Sequence, residues 1–202
     1  IACNTAIAQE GMHGDYGANI GKVIAIRKDL PSLLKAYAAA GSDARMNGCE
    51  LPVVINSGSG NQGLTVSVPL IVYAEREHLD KEKLYRALVI SNLTAIHLKT
   101  EIGRLSAFCG AVSAGAACGA GLAYLKDASE EVMNHTIVNA LAITSGIICD
   151  GAKASCAAKI AVSVEAGILG YDMYMNGQQF YGGDGIISKG IENTIHNIGV
   201  LG

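Results

Sequence analysis

Cys149 and Cys156 stand seven residues apart in "GIICDGAKASCAAK", around an Asp-Gly pair. A thiolate is a nucleophile and a soft metal ligand, so spacing decides what these two can do. In one ideal helix, positions i and i+7 fall about 20° apart in angle and roughly 10 Å apart along the axis. They share a face there, yet lie too far apart for one zinc ion. If Cys149 instead precedes a helix that begins near Asp150-Gly151, its thiolate can fold back toward the first turns, where the macrodipole favours it. A cluster several ångströms across tolerates either arrangement better than a single ion does. Cys109 and Cys118 are nine apart, so on one helix they point to opposite faces and at most one joins the same site. No CxxC pair supports a cluster, and buried free thiols are common. On the residues alone, buried thiols keep a narrow advantage.

The run "NSGSGNQG" (56–63) is the second candidate. Its Ser57, Gly58, Ser59, Gly60 and Asn61 expose backbone N–H groups and hydroxyls, and the run opens onto a helix. That is anion-binding geometry, suited to a carboxylate or phosphate. No Gly-Lys-Ser/Thr follows and no GxGxxG is present, so it is neither a Walker loop nor a dinucleotide fingerprint. A plain flexible loop competes with this reading, although Pro52 and Pro69 brace both sides. Arg45, in "SDARM", either adds a carboxylate fork or is a surface arginine. The five histidines form no HxH or HxxxH pair, and His97 reads as structural.

These residues need a scaffold. Half the 202 residues are apolar and 16% are charged, with no Trp and two Phe, which excludes disorder and calls for a core of Ala, Ile, Leu, Val and Gly. Such a core suits closely packed helices. The patterns predict helices over 1–12 with Gly11 as stop, two helices within 17–40 with Leu30 or Pro31 starting the second and Gly41 ending it, and a loop over 42–63. Further helices are predicted at 62–77 kinked at Pro69, 81–100, 104–125, 130–147, 152–174 and 188–199, with Asp80 and Ser129 as N-caps. The sum is an all-α helical bundle around a central Ala/Gly-rich helix, with a glycine-rich loop preceding a Pro-kinked helix. Gly115 and Gly119, after Ala111, let that central helix approach its neighbours closely. "LSAFCGAVSAGAACGAGLAYL" (105–125) is long enough to span a bilayer, but its Ala/Gly/Ser content favours a buried central helix.

A net charge of −3 offers no footprint for nucleic acid, and no basic run suggests a membrane surface. Six well-separated cysteines without a secretory leader point to reduced thiols or metal ligands in the cytoplasm. Homo-oligomerisation stays open. The opening "IACNTAIAQEG" has no initiator Met, starts within a helical pattern and reads as a fragment of a longer protein with something missing upstream.

Three segments together, "SDARMNG", "LPVVINSGSGNQGLTVSVPLIVYAE" and "SGIICDGAKASCAAK", resemble the bacterial and archaeal L-cysteine desulfidase family. Its members are oxygen-sensitive iron–sulfur lyases related to the α-chain of iron–sulfur L-serine dehydratases. The likeness runs over essentially residues 1–202, as one helical domain. It implies a [4Fe-4S] cluster held by Cys109, Cys149 and Cys156, with Cys118 outside the pattern. It implies further that a small amino-acid substrate places its carboxylate on Ser57, Ser59 and Asn61. The implied reaction is β-elimination, with loss of sulfide giving an enamine that hydrolyses to pyruvate and ammonia. The family's base is thought to be the cysteine of a Gly-Cys-Thr-Glu-Pro motif in an N-terminal region. That motif is absent from these residues, so this stretch alone is expected to be inactive. L-serine dehydration with the same cluster logic is the alternative. A non-catalytic helical domain with buried thiols and a zinc-stabilised binding module, which lacks an obvious fourth ligand, are the others.

Overall fold

The computed structural model describes residues 1–103 and 106–202, and over them the chain is all-helical. The helices are α1 (Ala2–His13), α2 (Ile20–Ala25), α3 (Leu30–Met46), α4 (Gly60–Arg76), α5 (Lys81–Ile102), α6 (Gly110–Leu125), α7 (Glu130–Thr144), α8 (Cys156–Met175) and α9 (Ile191–Leu201). Asp29, Ser59, Asp80 and Ser129 cap α3, α4, α5 and α7 by accepting a backbone N–H, so each of those starts is written in a side chain. Pro31 sits in the first turn of α3, where its missing N–H costs nothing. Pro69 lies inside α4 and removes one intrahelical bond there.

The centre is α6. Every residue from Ala111 to Ala123 is buried, and the helix packs against α4, α5, α7 and α8. Small side chains make that enclosure geometrically feasible. A Cβ on Gly115 would stand 2.3 Å from the Ser163 carbonyl oxygen, and one on Gly167 would stand 2.6 Å from that of Gly115. The α6–α8 crossing is thus backbone against backbone. Apolar residues of α3, α4 and α8, including Leu34, Leu64, Leu70, Ile160 and Val164, fill one side of the core, each fully buried Leu or Ile contributing about 1.5–3 kcal/mol. Leu98, Leu141, Ile195 and Ile198 fill the other. Among the described residues no helix is long and apolar enough to cross a membrane; α6, which carries most of the 105–125 stretch, has 16 residues.

Several boundaries differ from the sequence expectation. Gly11 and Gly41 are not stops. A Cβ on Gly11 would fall 1.9 Å from the Ala40 carbonyl oxygen, and one on Gly41 would meet the Leu64 methyls at 3.0 and 3.2 Å. Both glycines serve close helix packing, so α1 and α3 run through them. The loop expected over 42–63 shrinks accordingly, because Ser42–Met46 completes α3. The helix expected from 104 begins at Gly110, and residues 104 and 105 lie outside the described residues. Around Cys109 the backbone is extended because it pairs elsewhere. Likewise α8 begins at Cys156 rather than at 152, and α7 ends at Thr144 before Gly146, whose φ is 100°.

Candidate metal and substrate site

Residues 107–109 and 147–149 form a short antiparallel bridge. The Cys109 N–H donates to the Ile147 carbonyl at 2.9 Å, and the Cys149 N–H donates to that of Ala107 at 2.8 Å, bracketing the Phe108–Ile148 pair. Side chains alternate across such a ladder, so Cys109 and Cys149 share the face opposite Phe108 and Ile148. They are diagonal neighbours, a relation that separates the two Cα positions by about 7–8 Å. Cys156 joins them from the first turn of α8, its Sγ lying 3.7 Å from the Gly151 carbonyl oxygen. All three thiols line one cavity of about 340 Å³. Cys118 is fully buried in α6 and does not line it; burial alone drives its thiol far above the usual range. The shared-face geometry of a single helix does not apply to Cys149 and Cys156, since Cys149 sits in the loop before α8.

The opposite wall comes from the glycine-rich run. Ser57 and Gly58 both have positive φ, 48° and 80°, the pattern of a type I′ turn closed by reciprocal bonds between Asn56 and Ser59. The Asn56 side chain donates to the Asn92 carbonyl and side-chain oxygens at 3.2 and 3.0 Å, which fastens the turn to α5. Gly58, Ser59 and Asn61 line the cavity with Arg45, whose guanidinium donates to Asn61 Oδ1 at 3.2 Å. Ser57 and Gly60 are not among the lining residues. The Ser57 hydroxyl turns back to Asn56 Oδ1 at 2.8 Å, and Gly60 leaves room for Arg45, whose Nε a Cβ there would meet at 2.4 Å.

Lys99 and Gln62 are among the lining residues that the sequence did not point to. Lys99 lies on the buried face of α5 with Ala95, Leu98 and Ile102, and a lysine at that apolar spacing is a readable signal. Gln62 belongs to the glycine-rich run, but nothing local marks its side chain as buried; it is 6% exposed. Lys99 and Arg45 enter no ion pair among the described residues, and no Asp or Glu lines the cavity. Burial lowers the Lys99 ammonium from its usual range, against the pull of Cys109 and Cys149. Burial likewise pushes the Cys109 thiol up, while the Ala111 N–H and Lys159 act the other way.

Three helices, α4, α6 and α8, start at this cavity, so their positive dipole ends converge on it. The first two amides of α8 are already taken by the Lys153 and Ala154 carbonyls, whereas Cys109, the N-cap of α6, makes no side-chain cap hydrogen bond. Behind the thiols, Lys159 donates to the Ile148 carbonyl at 2.8 Å and pairs with Asp150, which also pairs with Lys153. Those two ammonium groups hold the Asp150 carboxyl far below the usual carboxylate range.

The arrangement can hold negative charge. Among the described residues no three His, Cys, Asp or Glu side chains converge tightly enough for a single metal ion. Three sulfur donors spread around a cation-walled cavity fit a polynuclear iron–sulfur group better than one ion, and the dipole ends oppose the charge of three thiolates. The expected base, placed by resemblance in a Gly-Cys-Thr-Glu-Pro motif, has no counterpart in these residues.

A family model described as the serine dehydratase alpha chain matches residues 1–202. A UPF0597 protein of Desulfitobacterium hafniense is 64% identical over all of this chain and 47% of its own length. UPF0597 proteins of Finegoldia magna and Lachnoclostridium phytofermentans are each 54% identical over all of this chain, and over 48% and 49% of their own lengths. The chain spans about half the length of the curated relatives it matches. No solved structure gives a significant match.

Proposed function

Because the chain belongs to the serine dehydratase alpha chain family, a family generally associated with iron–sulfur chemistry, we propose that it holds a [4Fe-4S] cluster and binds a small amino acid undergoing β-elimination. Cys109, Cys149 and Cys156 would be the thiolate ligands. When bound, such a cluster supplies a Lewis-acidic iron to the leaving sulfur or oxygen. The observation that carries the reading is the meeting of three thiols, two cations outside any described ion pair and three helix starts at one cavity that no carboxylate lines among the described residues.

In this reading Arg45 and Lys99 neutralise the substrate carboxylate, and the Ser59 hydroxyl and the first amides of α4 orient it. Asn61 fixes the Arg45 fork, so the carboxylate meets a preset donor. The turn at Ser57-Gly58, tied to α5 through Asn56 and Asn92, keeps that donor set rigid. The resemblance of "CDGAKASC" and "NSGSGNQG" favours L-cysteine with sulfide leaving. The family's description favours L-serine with water leaving.

The test is anaerobic reconstitution of the full-length protein. About four irons per chain are expected from the cluster type, Cys149→Ala is expected to lose them, and Cys118→Ala to keep them. Pyruvate formation from L-cysteine and from L-serine then assigns the leaving group. A Cys149→Ala protein that retains its full iron complement overturns the ligand assignment.

A further inference from the structure

Gln62 is a buried amide at the wall of the candidate site, and Oε1 of its side chain has no hydrogen-bond partner among the described residues. An unpaired buried acceptor is costly, and native structures rarely keep one without a use. Its position is held from outside. A Cβ on Gly110 would stand 2.5 Å from Gln62 Nε2 and 2.6 Å from its Cδ, so the first residue of α6 is a glycine where the amide lies against it. The backbone N–H of Gln62 is bound to Ser59 Oγ, which anchors the other end of the residue in the cap of α4.

The rest of the wall sharpens what that acceptor is for. Arg45 and Lys99 are donors, and so are the first two amides of α4. Asn61 Oδ1 already accepts from Arg45, Ser59 Oγ already accepts from the Gln62 backbone N–H, and among the described residues no carboxylate lines the cavity. The cavity is thus rich in donors and poor in free side-chain acceptors. An α-amino acid brings both charges: its carboxylate takes the donors, and its ammonium brings three N–H donors that need an acceptor.

We propose that Gln62 is the residue that recognises the α-ammonium of the substrate, and so restricts the site to α-amino acids against acids of the same shape without the amine. The proposal rests on the lyase reading of the same cavity. A neutral amide suits the position because a carboxylate would repel both the thiolates and the incoming substrate carboxylate.

The experiment compares L-cysteine with 3-mercaptopropionate, which carries the same thiol and carboxylate and no ammonium. Both are titrated into the full-length protein with its cluster reconstituted, reading dissociation constants from the change in cluster absorption. Gln62→Met is expected to weaken L-cysteine about 10- to 100-fold, the factor that a hydrogen bond to a charged group is worth. Binding of 3-mercaptopropionate and iron content should stay unchanged. Gln62→Asn, which keeps an amide but withdraws it by one methylene, should give the same split and stands in if Gln62→Met does not fold. Equal weakening of both ligands, or no weakening of either, overturns the role of Gln62 while wild-type turnover leaves the lyase reading standing. A wild-type protein that carries no iron and binds neither ligand overturns both.

Discussion

Lys159 and Ile148 are joined by a 2.8 Å hydrogen bond from the ammonium to the main-chain carbonyl. Through it the first turn of α8, which carries Cys156, grips the loop that carries Cys149. Asp150 adds a second hold on the same ammonium. Replacing Lys159 by Met should leave the helical melt nearly unchanged, because the residue is near the surface. It should loosen cluster retention about 10- to 100-fold, as the loss of outer-shell support commonly does. Iron per chain after repeated desalting checks this, and Lys159→Arg should restore part of it. Full retention in the Met variant would show that the loop is held without Lys159.

The six thiols should separate by reactivity in the cluster-free protein. Cys149 is exposed, Cys109 is partly buried with its thiol pushed up by desolvation, and Cys118 is wholly buried. A brief iodoacetamide pulse followed by peptide mass mapping should therefore find Cys149 labelled ahead of Cys109, and Cys118 labelled only after unfolding. Uniform protection of Cys109, Cys149 and Cys156 would favour a domain of inert buried thiols.

How much of the fold and site is legible in the sequence depends on the range of the interaction. Local signals hold: Asp80 and Ser129 cap helices as their types predict, and Pro31 sits in a first turn. Glycines mislead where their partner is remote. Gly11 and Gly41 look like terminators in sequence, but their roles are set by the Ala40 carbonyl and the Leu64 methyls, across helix contacts that no local window contains. The start of α6 is hidden for the same reason, since residues 107–109 are extended only because 147–149 lie alongside. Within the site, Lys99 carries a readable sign, a charge at apolar helical spacing. The burial of Gln62 carries none, because it follows from how α6 meets α4.

Asp43 should impose a pH dependence on stability. It is fully buried in α3, accepts the Gly21 N–H at 2.9 Å through Oδ2, and its Oδ1 has no partner among the described residues. Burial raises its pKa from the ordinary 3.8, against the hydrogen bonds from Gly21 and Ile20 and the charge of Lys22. The native state then binds more protons than the unfolded one between 3.8 and the raised value. Its contribution is fully present below 3.8 and is lost as pH rises through the native pKa. Asp43→Asn keeps an oxygen for Gly21 and removes the titration. Urea midpoints measured across this window should fall for the wild type relative to the variant as pH rises, and parallel profiles would refute the assignment.

The α6–α8 crossing should tolerate no added carbon. A Cβ on Gly167 would meet the Gly115 carbonyl oxygen at 2.6 Å and the Gly119 backbone at 3.0 Å, and neither can swing aside. Gly167→Ala should destabilise by about 1–3 kcal/mol, the usual range for overpacking. Gly177→Ala, at an exposed loop position with open space around it but a φ of 72°, reports the cost of backbone strain alone. Chemical denaturation of both separates crowding from strain, and equal losses would deny the crossing its special character.

That crossing also governs where this protein can change over generations. A helix enclosed from Ala111 to Ala123 by other main chains and buried side chains has almost no substitution that leaves its neighbours in place. Drift, and any acquisition of a new substrate, is channelled to the rim: the turn at Ser57-Gly58, the segment before α8, and the α5 residues around Asn92 and Lys99. A selection for altered leaving-group preference should collect its mutations there and return α6 untouched, which makes the central helix a fingerprint of ancestry and the rim a record of use.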